Sequence, residues 1–241
     1  MISEEHLSSF PVKNGIRQRG KGMTRLETFV DASFAFALTL LVISFDSIPG
    51  NIDELIVALK GIPAFAMCFA IIIMPWVGHR QWSQNFGLEE GASMITSFIL
   101  VFVILVYVFP LRIMMGVAFE NMTGGWLQSQ FVLESIEETR LLIIIYGVGF
   151  AAACFCLIML NYQALRLTTE LQLNIVEELS TKLIIGGWLI VSGTALLSIV
   201  LAVTVPGRFI GFAGGCYFIL SIIMPVYSIF ASKKLRQMGA I

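Results

Sequence analysis

Six long runs of apolar residues, each able to cross a lipid bilayer as a helix, dominate this sequence. A helix needs about 20 apolar residues to span a hydrocarbon core of about 30 Å. The runs are continuously apolar rather than alternating, which excludes the strands of a membrane barrel. They cover residues 26–45, 55–78, 91–115, 141–162, 183–205 and 209–231. The sequence therefore predicts an all-α integral membrane protein with six transmembrane helices.

The composition agrees with a membrane protein and excludes other classes. Of the 241 residues, 57% are hydrophobic and 13% are charged, and the mean hydropathy is +0.88. A soluble domain has about twice that charged fraction. The net charge of -1 argues against a nucleic-acid partner, because such proteins carry a basic excess. The four cysteines all lie inside apolar runs, which indicates buried hydrophobic residues rather than disulfides or metal ligands.

The distribution of Lys and Arg predicts that both termini lie in the cytoplasm. Eleven of these 15 residues fall on the side of the termini, and four fall on the other side. Cytoplasmic loops carry the excess of positive charge in membrane proteins. The chain is accordingly divided into a basic cytoplasmic segment 1–24, a six-helix membrane domain 25–232 and a basic cytoplasmic tail 233–241. It is assigned to the cell membrane.

Residues 165–182, between the fourth and fifth runs, have the pattern of an amphipathic helix. Leu167, Leu171, Ile175 and Leu179 recur at helical spacing, with glutamates on the remaining face. Such a helix would either lie along the inner membrane surface or extend one of the spanning helices.

No enzyme signature is found in the sequence. The two histidines, His6 and His79, are far apart and do not have the spacing of metal ligands. There is no glycine-rich phosphate loop and no nucleophile in a recognisable setting. We therefore predict that the protein is not an enzyme and has neither a cofactor nor a bound metal.

The first run differs from the others because it has ionisable residues at its inner end. These are Arg25, Glu27 and Asp31. An acid in or near the membrane is costly and indicates a functional site, although Arg25 and Glu27 could instead extend to the interface. On a helix Asp31 points about 140° away from Phe36, so it is placed to bond a neighbouring helix. Candidate partners at the end of the second run are Trp76, His79 and Arg80.

A mostly apolar stripe runs along another part of the same helix. At 100° per residue, its six positions fall within about 40° of one line, and Ser33 and Thr39 lie on its flanks. Spacing alone leaves open whether this stripe packs against another helix, which is the more usual role, or lines a pore. The stripe consists of Phe29, Ala32, Phe36, Leu40, Ile43 and Ser47.

Three stretches in the first half of the chain match motifs of a known family. Residues 25–35 are R-L-E-T-F-V-D-A-S-F-A, residues 76–80 are W-V-G-H-R, and residues 107–111 are Y-V-F-P-L. The first resembles the R-x-x-x-F-S-D-x-x-x-A signature of the transmembrane protein 175 family of potassium channels, and F-A-L-T-L-L at 36–41 continues the similarity. The other two resemble the ends of that family's second and third helices. Val30 stands where the signature has serine, and Phe36 replaces an aliphatic residue.

The resemblance implies a potassium-selective cation channel that conducts passively. In prokaryotic members, four six-helix subunits surround one central pore lined by their first helices, so potassium ions, the lipid bilayer and further copies of the chain are the implied partners. Carried over residue by residue, the hydrophobic constriction falls on Phe36, Leu40 and Ile43. The threonine layer that contributes to selectivity falls on Thr39. The structural network at the inner end comprises Arg25, Phe29, Asp31, Trp76 and His79.

Two other functions remain open at this point. A proton-coupled secondary transporter is disfavoured because Asp31 is the one plausible proton carrier within a span, and no inverted repeat is evident. A membrane scaffold that transports nothing would also fit the composition. Passive flux, coupled uptake or an absence of flux would discriminate these functions.

Overall fold

The protein is almost entirely helical over the residues that its structure, a computed structural model, describes. These are residues 10–13, 15–20, 22–43, 50–127, 129 and 131–238, without the side chain of residue 43. An antiparallel hairpin of β1 (Val12–Lys13) and β2 (Ile16–Arg17) precedes the helices. The helices are α1 (Arg25–Ile43), α2 (Ile52–Lys60), α3 (Ile62–Phe86), α4 (Gly91–Met122), α5 (Ile136–Arg166), α6 (Thr168–Leu171), α7 (Ile175–Thr204), α8 (Gly211–Gly215) and α9 (Leu220–Gln237).

Within the described residues, five helical stretches are long and apolar enough to cross a membrane. They are Ile52–Phe86, Gly91–Met122, Ile136–Arg166, Ile175–Thr204 and Gly207–Gln237. They correspond to the second to sixth predicted runs. Helix α1 covers the first run as far as residue 43, and the last two residues of that run lie outside the described residues. The protein is thus an all-α, multi-pass membrane protein, as predicted.

Local sequence explains where several helices begin and end. Side chains that accept a hydrogen bond from a backbone N–H of the first turn cap α2, α5 and α7, and this compensates for the missing intrahelical partners there. Helix α3 ends before Gly87, which has a left-handed φ of 59°. Glycine adopts this conformation without strain because it has no Cβ atom. The capping residues are Asn51, Ser135 and Asn174.

Residues 165–182 do not form one amphipathic helix. Helix α5 continues to Arg166, the short α6 follows, and Gln172 then interrupts the helix with a φ of 49°. Asn174 and Glu177 form a capping box that begins α7. An N-x-x-E sequence is typical of a helix N-terminus, so a new helix begins here although the apolar residues keep their helical spacing. The segment therefore extends the two flanking spans, which is the second of the two alternatives.

The core of the subunit lies between α4, α5 and α7. Helices α1 and α3 pack against α4, and α9 packs against α7. At the centre, the rings of Tyr107, Tyr146, Phe150 and Tyr217 contact one another with centroids 5.3–6.3 Å apart. This packing fixes α4 and α5, and α4 in turn supports one side of α1.

Candidate ion pathway and inner hydrogen-bond network

Helix α1 has one face buried in the subunit and another face exposed. The buried face, which is part of the core, consists of Leu26, Val30, Phe34, Ala37 and Leu41. The exposed positions include Phe29, Ala32, Ala35, Phe36, Thr39 and Val42. A large, mostly apolar surface of this helix therefore points away from the core of its own subunit.

The predicted constriction residues lie partly on this exposed face. The side chain of Phe36 is 55% exposed. Leu40 is half-buried at the edge of the core. Ile43 is the last residue of α1, but its side chain lies outside the described residues, and so does Ser47 of the predicted stripe. The structure thus places Phe36 on the free surface of the subunit and Leu40 beside it.

Two hydroxyl groups beside the stripe donate hydrogen bonds to backbone carbonyls of their own helix. Thr39 Oγ1 donates to the Phe36 carbonyl at 2.7 Å, and Ser33 Oγ donates to the Phe29 carbonyl at 2.7 Å. A hydroxyl that donates one hydrogen bond still has lone pairs that can accept. Each oxygen can therefore present its lone pairs to a cation or to water.

Near the N-terminal end of α1, the carboxylate of Asp31 faces α3. Trp76 Nε1 donates a hydrogen bond to Asp31 Oδ1 at 2.7 Å. An indole N–H can only donate, and a carboxylate can only accept, so the two groups are complementary. The guanidinium of Arg80 lies over the same indole ring, 5.4 Å from its centroid. The structure brings these three predicted neighbours together.

His79 lies close by but bonds to a different helix. Its side chain is buried, and Nε2 is 3.0 Å from Ser97 Oγ on α4. Its ring also contacts that of Trp82, with centroids 5.4 Å apart. His79 and Asp31 line the same polar cavity of about 240 Å³ between the N-terminal segment, α1 and α3. The histidine therefore connects α3 to α4, and it meets Asp31 across the cavity.

Arg25 and Phe29 are not part of this hydrogen-bonded group. Arg25 is exposed, and among the described residues no hydrogen bond or ion pair to it is found. Phe29 contacts Phe98 of α4 edge-to-face, with ring centroids 5.5 Å apart. Half of the Phe29 side chain remains exposed.

Glu27 holds α1 to α3, whereas the sequence indicates only an ionisable residue near the interface. Its backbone N–H donates to Thr24 Oγ1 at 3.2 Å, and Thr24 N–H donates to Glu27 Oε2 at 3.0 Å. Ser83 Oγ on α3 donates to the other carboxylate oxygen at 2.6 Å. The T-R-L-E sequence at 24–27 has the spacing of a capping box and could have predicted the first pair. Nothing in the sequence indicated Ser83.

A metal site is not evident in the part of the chain that the structure describes. No group of three or more His, Cys, Asp or Glu side chains there could hold a metal ion. Asp31, His79 and Glu27 instead form hydrogen bonds with other side chains.

These features define a class of multi-pass helical membrane protein. Its first helix is held near its N-terminal end by hydrogen bonds from α3 and has a mostly apolar face exposed. The family model described as "Endosomal/lysosomal potassium channel TMEM175" matches residues 25–110. A relative named potassium channel, from Marivirga tractuosa, is 34% identical over 228 residues, which cover 91% of this chain and 92% of the relative. This chain belongs to the TMEM175 family of potassium channels, as its motifs predicted.

A solved structure has the same fold over nearly the whole chain. It is the crystal structure of a threonine-to-alanine variant of the potassium channel MtTMEM175, in complex with a nanobody–MBP fusion protein. The TM-score is 0.79 and the sequence identity is 31%, over 92% of this chain and 99% of that chain. The similarity therefore extends well beyond the residues that the family model matches.

Proposed function

We propose that this protein is a potassium channel in which four copies surround one pore lined by α1. The observation that carries the proposal is the mostly apolar face that α1 turns away from its own subunit. A second copy, rather than the core of the same chain, can cover such a face. The potassium channels among its relatives support potassium as the permeant ion.

Phe36, Leu40 and Ile43 form the hydrophobic constriction in this proposal. Around a fourfold axis, each of these side chains occurs four times at one level of the pore. A ring of apolar side chains can stop conduction by excluding water from the pore. The ring of Phe36 is well placed for this role, because 55% of its surface is exposed within its own subunit.

Thr39 supplies the polar contact that favours potassium. A cation that enters an apolar constriction loses part of its hydration shell and needs oxygen ligands in its place. The Thr39 hydroxyl donates its hydrogen to the helix backbone, so its lone pairs are left to face an ion. Four such oxygens would form one layer of the pathway.

Phe29, Asp31, Trp76 and His79 hold the inner end of α1 in position, whereas Arg25, the first residue of the helix, is exposed. The Asp31–Trp76 hydrogen bond and the Phe29–Phe98 contact tie α1 to two different helices. His79 ties those two helices to each other through Ser97. A pore helix fixed in this way keeps its outward face in one orientation.

The protein lies in the cell membrane with both termini in the cytoplasm. In this arrangement residues 1–24 and 233–241 are cytoplasmic, and residues 25–232 form the channel domain. The excess of Lys and Arg at both ends of the chain supports this orientation.

Potassium flux into liposomes tests the function and the constriction together. The purified protein should mediate passive flux, and Phe36→Ala and Leu40→Ala should increase it because smaller side chains widen and wet the constriction. Phe155→Ala is a matched control, because Phe155 is equally exposed but lies on α5. The proton gradient is varied in parallel, since passive conduction does not require one.

Three outcomes of this experiment would contradict the proposal. Wild-type liposomes without potassium flux would favour a scaffold protein. Saturable uptake that depends on a proton gradient would favour a secondary transporter. Equal fluxes through the Phe36→Ala and Phe155→Ala variants would show that Phe36 does not line the pore, even though the protein conducts potassium.

A further inference from the structure

The N-terminal segment before α1 is held by a buried ion pair that the proposed pore does not use. Arg19 Nη1 lies 3.0 Å from Glu177 Oε1, and Arg19 Nη2 lies 3.0 Å from Glu177 Oε2. The two side chains are 4% and 0% exposed. Such a bidentate pair fixes the orientation as well as the distance of its partners. Arg17 adds a backbone hydrogen bond of 2.8 Å and a side-chain contact of 3.2 Å to the same carboxylate.

The residues around this pair also join the ends of three helices. Arg19 Nε donates to the carbonyl of Leu171, the last residue of α6, at 3.1 Å. The backbone N–H groups of Arg19 and Gly20 donate to the carbonyls of Asn85 and Gln84 in the last turn of α3. These carbonyls have no partner within their own helices. Glu177 itself belongs to the first turn of α7.

The same turn of α3 holds the start of α1. Ser83 Oγ donates to Glu27 of α1, one residue before the two carbonyls that bind the N-terminal segment. At Gly20 a Cβ atom would lie 2.6 Å from the Ser83 carbonyl, so the segment is in close contact with α3. Three residues separate Gly20 from Thr24, the N-terminal partner in the α1 capping box. Even fully extended, this connection spans no more than about 14 Å.

We propose that the Arg19–Glu177 ion pair positions α1 relative to α7 and thereby sets the open probability of the channel. This inference rests on the proposed function. Arg19 and Glu177 are positioning residues, because neither belongs to the exposed stripe of α1. Breaking the pair should change how often the pore is open, but not the conductance or selectivity of the open pore.

The ion pair specifies one position of the N-terminal segment rather than adding much net stability. A buried ion pair contributes little more to stability than well-packed apolar side chains, whereas a buried charge that loses its partner is strongly disfavoured. If the N-terminal segment moves, the buried carboxylate of Glu177 loses both arginines at once. The pair therefore permits only one position of the N-terminal segment against α3 and α7. Because the connection from Gly20 to Thr24 is short, this position also limits where α1 can begin.

Glu177→Gln is the direct test, and Glu178→Gln is its matched control. Glu178 is the next residue on α7, and its partly exposed side chain pairs with exposed Lys182 at 3.3 Å. Both substitutions remove the same charge from the same helical turn. In single-channel recordings, Glu177→Gln should change the open probability roughly fivefold or more, a size typical of coupling between two sites. Unitary conductance and reversal potential should match those of the wild type.

Single-channel recordings separate positioning from folding, because they sample only channels that have folded. Loss of folded protein lowers the number of channels and leaves the open probability of each unchanged. Arg19→Gln should shift the open probability in the same direction as Glu177→Gln, and the two effects should not add in the double variant, because both single variants remove the Arg19–Glu177 contact. Additive effects, or an open probability that stays at the wild-type value in Glu177→Gln, would overturn the proposal.

Arg17→Gln is a milder variant that tests the same proposal if Glu177→Gln does not fold. It removes one partly exposed side chain, leaves the Arg19 contacts in place, and should shift the open probability in the same direction by a smaller factor. If Glu177→Gln does not fold and Arg17→Gln has the open probability of the wild type, the proposal is wrong.

A distance measurement distinguishes failure of this inference from failure of the channel function. Spin labels at Thr28→Cys on α1 and Leu189→Cys on α7, both exposed positions, report the position of α1 without any current. The distance should shift or broaden with Glu177→Gln and stay unchanged with Glu178→Gln. If the distance shifts in a protein that conducts no ions, the proposed channel function is wrong, but the positioning of α1 by the ion pair is supported. An unchanged distance in a conducting protein would refute the positioning contact alone.

Discussion

Trp76 of α3 donates its indole N–H to the carboxylate of Asp31 at 2.7 Å, which ties α1 to α3 one helical turn above the Glu27–Ser83 hydrogen bond. Glu27 and Asp31 are four residues apart and therefore lie on the same side of α1. Two carboxylates of one helix thus accept hydrogen bonds from one neighbouring helix. Together they prevent α1 from rotating about its axis and fix which of its side chains face outwards.

Trp76→Phe should destabilise the protein, because it leaves Asp31 Oδ1 without its donor while retaining most of the ring. A hydrogen bond to a charged group contributes about 1.5–3 kcal/mol, so the Tm in detergent should fall by roughly 3–10 °C. Trp126→Phe is the control, since Trp126 is 65% exposed. Differential scanning fluorimetry of the two variants measures the effect, and equal Tm values for both would contradict it.

Much of the fold and part of the candidate site could be predicted from the sequence. Continuous apolar runs require helices in a bilayer, since every backbone polar group must be satisfied within its own segment. The helical periodicity likewise separated Asp31 from Phe36, and in the structure Asp31 faces α3 whereas Phe36 is exposed. These predictions depend on local geometry, which the sequence specifies directly.

Contacts between distant parts of the chain could not be predicted in this way. Arg19 and Glu177 are 158 residues apart, and no spacing rule relates an arginine of a terminal segment to an acid in a capping box. The helical periodicity predicts Glu177 on the polar face of an amphipathic helix, but its side chain is completely buried. The partner arginines, which only the tertiary fold supplies, make that burial possible.

Thr39→Val should reduce the preference for potassium over sodium, because it replaces a hydroxyl with a methyl group of similar size. Loss of about 0.5–1.5 kcal/mol of polar contact corresponds to roughly a two- to tenfold lower permeability ratio. Reversal potentials under bi-ionic conditions measure this ratio. Thr204→Val is the control, because Thr204 is also exposed and donates to a backbone carbonyl of its own helix, at 2.8 Å. A permeability ratio that does not change in Thr39→Val would rule out a threonine layer.

Arg140→Gln should loosen the contact between the N-terminal end of α5 and the C-terminal end of α7. The guanidinium of Arg140 donates to the carbonyls of Ala202 and Val205 at the C-terminal end of α7. A cation is favourable at that end, where the carbonyls lack intrahelical partners. We expect a loss of about 1.5–3 kcal/mol, seen as faster amide hydrogen exchange in the last turn of α7. Arg208→Gln, a change at an exposed arginine, should leave exchange there unchanged, and equal exchange in both variants would contradict this assignment.

Gly149→Ala should disturb the aromatic centre of the subunit, whereas Gly193→Ala should be tolerated. A Cβ atom at Gly149 would lie 2.5 Å from the ring of Tyr107, which is buried and packed against Tyr146 and Phe150. The ring cannot move without displacing its neighbours, and overpacking of this kind costs about 1–3 kcal/mol. At Gly193 the same added atom would have nothing within 4 Å, so alanine should be neutral or stabilise α7 by up to about 1 kcal/mol. Thermal unfolding of both variants in detergent measures the difference, and a Gly149→Ala variant as stable as Gly193→Ala would show that Tyr107 can repack.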